Sequence, residues 1–247
     1  MSSERKVAVA AGALYIVATV AGLLATAALG SLLDGPRVLA HLDAHETRVL
    51  TAAFFELVLA VAVAGIAFMI YPILKQDADT PAKQGLALWY VGTRVTESAL
   101  GLVGILGLLS LFALSQEVAR AHTAVHVLTT ASDYSVVLYQ TVFCVGAVML
   151  YYLLHVSRRV PRWLTIWGLI GVPLFLVGGF SYADSGDPNS TFATIMYAPL
   201  FLQEMVLAVW LILKGWNPSA SDTARTATGE PALIFRAEGA HTRREPD

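Results

Sequence analysis

Six apolar stretches, each long enough to cross a bilayer, constrain this chain of 247 residues more than any other feature. A spanning helix needs about 20 apolar residues, because in hydrocarbon every backbone N–H and C=O must find its partner within the segment. Residues 7–29, 49–74, 85–114, 134–156, 163–182 and 191–214 meet that requirement. Polar punctuation bounds them: Asp34, Gly35 and Pro36 after the first, Lys75 to Pro81 after the second, Gly215, Asn217 and Pro218 after the last. At 56% hydrophobic and 14% charged residues, with a mean hydropathy of +0.64, the chain lies outside the range of soluble domains. The expected fold is an all-α membrane protein, a six-transmembrane-helix bundle with short interfacial helices in the outer loops. Residues 1–216 form that domain, and 217–247, poor in apolar side chains, form a disordered cytoplasmic tail.

The first span also has the outline of a signal peptide, with Arg5 and Lys6 before the apolar run and Ala25-Thr26-Ala27 after it. The run exceeds the usual signal core of about 7–15 residues, which favours a retained helix. Lys and Arg set the orientation. Arg5, Lys6, Lys75, Lys83, Arg158, Arg159, Arg162 and Lys214 collect on one side, against Arg37, Arg48 and Arg120 on the other. Positive charge marks the cytoplasmic face, so this is a multi-pass protein of the cell membrane with both termini inside. All five tryptophans fall near the inner helix ends, as an interfacial belt requires. Glycines 101, 104 and 107 in the third span, and 168 and 171 in the fifth, are expected to let helices approach closely. The lone Cys144 is an apolar filler that forms no intramolecular disulfide. Neither a basic face nor a phosphate-binding loop is present, so nucleic-acid binding has no support.

Charge inside hydrocarbon is costly, and ionisable residues at membrane depth mark candidate sites. Here these are Glu56, Arg94, Glu97 and Glu204, joined by the amides Gln140 and Gln203. At about 1.5 Å of rise per residue, all six fall between the midplane and the outer half. Arg94 and Glu97 stand three apart and share a helix face. One cation then faces three carboxylates, so Arg94 is expected to pair with Glu97 and with at least one of Glu56 and Glu204. A carboxylate left over must take up a proton or hold a bound cation.

The outer loops carry His41 and His45, four apart, and His122 and His126, also four apart. Such pairs on a helix can hold zinc. Neither a third ligand at motif spacing nor an H-E-x-x-H base accompanies them, so these four are weak candidates and no metal or other cofactor is expected. No nucleophile elbow or Ser/His/Asp order is discernible, and the chain leans away from being an enzyme.

Four runs together carry a family likeness: RVLAHLDAHETR from Arg37, YVGTRVTES from Tyr90, PRWLTIWGLIG from Pro161 and QEMVLAVWLILKGWN from Gln203. The combination resembles a bacterial integral membrane family, domain of unknown function 4386, over about residues 7 to 217. The resemblance implies a compact helical membrane domain and matches Arg94, Glu97 and Glu204 to family motifs. It supplies no activity, cofactor or catalytic residue. Three readings stand open: a membrane protein whose polar cluster binds a small ligand, cation or proton; a membrane-embedded metalloenzyme using the outer histidines; and a structural or partner-stabilising protein. The lipid bilayer is the partner common to all three.

Overall fold

A computed structural model describes residues 2–33, 38–115, 122–185 and 190–218, the side chains of 122–134 and 182–185 excepted. The apolar stretches become six long helices: α1 (Ser3–Leu29), α3 (Glu46–Asp77), α4 (Pro81–Ser115), α5 (His122–Ser157), α6 (Arg162–Ser185) and α7 (Thr191–Leu213). A seventh and much shorter one, α2 (Val38–Ala44), lies between α1 and α3. All six long helices are apolar enough to cross a membrane. Their outer surface is apolar too, with Val61, Leu88, Leu106 and Leu213 each more than 60% exposed. Such a surface suits lipid as its solvent. The chain is a six-helix membrane bundle.

The long helices close a ring in the order α1, α3, α4, α5, α6, α7, with α7 packed back on α1. Small residues set the tightest seam. Ala8, Ala11, Ala18, Ala21 and Ala25 recur at helical spacing on α1 and are buried, in the bundle where α1 and α3 pack most closely. Ring closure depends on Gly12, where a Cβ would sit 2.6 Å from the carbonyl oxygen of Ala208. Of the outer interfacial helices expected, α2 is one: it buries Val38 and Leu42 against Val49, Ala52, Leu108 and Leu111. The segment around His122 is instead continuous with the fifth span, because nothing between His122 and Tyr134 interrupts a helix.

The start of α1 and the end of α7 lie at the same end of the ring. Arg5 donates to the carbonyls of Leu211 (2.9 Å), Ile212 and Leu213 (3.1 Å), satisfying carbonyls that the end of α7 leaves open. Gly215 turns the chain there with φ 76°. At that same end Arg159, which is fully buried, grips Asp77 and reaches Glu4. The turn from α3 to α4 carries an exposed pair, Lys83 to Asp79 at 2.7 Å, whose hydrogen bond holds the Asp79 carboxyl below the usual carboxylate range. The tail expected from residue 217 falls, beyond Pro218, outside the described residues.

Candidate functional site

A cavity of about 380 Å³, partly open to the surface, has every long helix in its wall. Tyr15 comes from α1, Glu56 from α3, Arg94 and Glu97 from α4, Tyr139 and Phe143 from α5, Phe175 from α6, and Glu204 from α7. A second cavity of about 310 Å³ lies between α1, α3, α4 and α5, lined by Leu29, Leu33, Leu100, Gly101, Gly104, Ile105 and Leu108. Glu56, Leu59 and Tyr139 line both, so the two spaces adjoin at these residues.

The Arg94–Glu97 pair is as the i, i+3 spacing requires: Nη1 lies 2.9 Å from Oε2, and both residues are almost fully buried. Tyr139 of α5 lines the wall together with that carboxylate. The Arg94 guanidinium stacks on Phe143, with Cζ 4.8 Å from the ring centre, and stands 5.7 Å from that of Tyr90. Gly146 makes this crossing of α4 and α5 possible, since a Cβ there would lie 2.6 Å from Thr93 Oγ1. The second pairing expected of Arg94 is not made. Glu56 and Glu204 line the cavity with Arg94, yet neither has an ion pair or hydrogen bond among the described residues. A guanidinium fixed by one carboxylate and one aromatic face has no freedom to swing toward both. Its Nε and Nη2, and the Tyr15 hydroxyl, are buried without a partner.

The two amides do not line the first cavity. Gln203 accepts from the Tyr151 hydroxyl (2.6 Å) and donates to the Leu164 carbonyl (3.1 Å), tying α5 and α6 to α7 away from the cavity. Gln140 lines the second cavity, donates to the Tyr197 hydroxyl at 3.0 Å and presses against the backbone of Gly179. Among the described residues, 104 and 107 of the span-three glycines have no neighbour where a Cβ would stand, and Gly101 meets only Ala60 at 3.9 Å. Gly101 and Gly104 line the second cavity. Gly168 and Gly171 do make the close approaches expected: a Cβ there would stand 2.8 Å from the Tyr151 ring and 3.2 Å from the Leu200 backbone.

The histidines come together less readily. His45 Nδ1 lies 2.9 Å from the carbonyl of His41, so that nitrogen is engaged within its own turn. The side chains of His122 and His126 lie outside the described residues, and no metal-holding cluster occurs among the described ones. Tyr15, Tyr139, Phe143 and Phe175 are wall residues the sequence reading missed. Tyrosines at membrane depth were the available signal, because a buried hydroxyl needs a partner.

A cavity walled by all six long helices is a whole-domain feature, and the family comparison covers that whole domain. The model of the family described as Domain of unknown function (DUF4386) matches residues 10–215. The chain belongs to that family. The match spans the ring from α1 to the end of α7, and with it every residue named in the cavity wall. No curated protein and no solved structure matches the chain.

Proposed function

We propose that this member of the DUF4386 family binds a small ligand, an ion or a proton in the cavity around Arg94. One observation carries the reading: Glu56 and Glu204 line that cavity with no ion pair or hydrogen bond among the described residues. Two carboxyls in a low-dielectric space must be neutralised by protons or by a bound cation. A network serving only to hold helices together would satisfy its members from the protein, as Gln203 is satisfied by Tyr151 and Leu164. The excess of Lys and Arg at the end bearing the termini supports a cytoplasmic position for that end.

Dicyclohexylcarbodiimide, an apolar reagent that adds irreversibly to carboxyls within membranes, tests the reading. Peptide mass spectrometry after treatment of intact membranes should find the adduct on Glu56 and Glu204, and Glu97 spared by its ion pair. Adducts on neither cavity carboxyl would overturn the proposal.

A further inference from the structure

We infer that the ligand of this cavity is an amphiphilic cation, its ammonium head held between Glu56 and Glu204 and its apolar tail lying in the adjoining cavity. The inference rests on the binding reading above and adds the ligand's chemical class.

The head group follows from charge. With the Arg94–Glu97 pair neutral as a unit, the two remaining carboxyls make the chamber a receptor for positive charge. Aromatic rings complete it, since Phe175 and Tyr15 line the same wall and their faces attract cations in a dry site. An ammonium donates three hydrogen bonds, and the two carboxyls, with two oxygens each, supply the acceptors.

The tail follows from the neighbouring space. The second cavity meets the first at Glu56 and Tyr139, and apart from Gln140 and Ser135 its wall is aliphatic or glycine. A head at Glu56 therefore has an apolar slot of about 310 Å³ beginning beside it. Gly101 and Gly104 keep that slot open, because both line it and among the described residues a Cβ would meet nothing at Gly104 and only Ala60, at 3.9 Å, at Gly101. The source of such a ligand is the bilayer. The head chamber's lining includes Leu23 on α1 and Phe201 on α7, which are 57% and 40% exposed. Helices α1 and α7 meet tightly at Gly12, nearer the start of α1, so the exposed Leu23 and Phe201, and not that crossing, mark the way in from lipid.

Hexylamine, hexanoate and hexanol share one tail and differ in head charge, so they separate the two halves of the inference. With the purified full-length protein in a nonionic detergent, equilibrium dialysis should give saturable binding of hexylamine at about one per chain. The acid and the alcohol should bind at least about tenfold more weakly, as loss of a charge-assisted contact implies. The tertiary analogue of hexylamine, N,N-dimethylhexylamine, which forms no amide with a carbodiimide-activated carboxyl, should also protect Glu56 and Glu204 from the carbodiimide. Gly104→Leu, which fills the slot, should weaken hexylamine and leave methylamine unchanged. Equal binding of amine and alcohol would overturn the inference, as would binding without protection. Should the carbodiimide tag both carboxyls while no amine binds, the ligand class is wrong and the binding reading survives. Should it tag neither, both fall together.

Discussion

Arg159 holds both carboxylate oxygens of Asp77, Nε to Oδ2 at 2.6 Å and Nη2 to Oδ1 at 2.8 Å, with its own side chain wholly buried. Its third nitrogen reaches Glu4 Oε2 at 3.1 Å, and its backbone carbonyl accepts from the Asn217 amide at 2.8 Å. One residue on the α5–α6 connection thereby joins the start of α1, the end of α3 and the exit from α7. A planar fork suits this role, since lysine could not grip two oxygens in a fixed plane.

Breaking that grip should be costly. Arg159→Leu strands the buried Asp77 carboxylate and should lower stability by about 3–5 kcal/mol. Asp77→Leu in the same chain should recover a large part, because Glu4 is exposed enough to be solvated. Denaturant unfolding of both variants in detergent checks this, and simple additivity of the two changes would show that they are not coupled.

The Arg94–Glu97 pair should behave alike. Arg94→Leu alone leaves Glu97 without its cation and should cost about 3–5 kcal/mol, and Arg94→Leu with Glu97→Leu should cost less. Thermal unfolding of the two variants decides. A double variant no better than the single would mean that the pair contributes through packing alone.

Two glycines give opposite expectations. Gly146→Ala pushes a methyl toward Thr93 at the crossing of α4 and α5 and should destabilise by about 1–3 kcal/mol. Gly104→Ala meets nothing among the described residues and should change stability by no more than about 0.5 kcal/mol, or raise it through helix propensity.

Six spans and their ends were legible in the sequence because length and apolar density alone define a membrane helix. Which face of each helix turns inward was not. Apolar side chains surround α3 almost evenly, so no stripe marks the ring's interior as it would on a soluble amphipathic helix. Gln203 and Glu204 show the consequence. Adjacent on α7, they diverge by about 100° around the helix axis, so one joins the Tyr151 seam and the other the cavity. Arg159 escaped notice for a related reason: a positive charge beside a membrane helix reads as an orientation signal, and its burial depends on Asp77, 82 positions earlier in the chain.

Orientation is open to direct labelling. Position 45, at the end remote from the termini, and position 214, beside the end of α7, are both exposed. In intact cells a membrane-impermeant thiol reagent should modify His45→Cys and spare Lys214→Cys. The buried native Cys144 should not interfere.

The account turns on Glu56 and Glu204 serving a ligand and not the fold, and the thermal midpoint of the Glu56→Gln, Glu204→Gln double variant tests this most directly. Groups kept for function at a buried site reduce stability, so neutralising them should leave the midpoint unchanged or raise it. Glu97→Gln, measured beside it, should lower the midpoint by stranding Arg94. A double variant that unfolds as early as Glu97→Gln would show that these carboxyls hold the ring together, and would contradict the account.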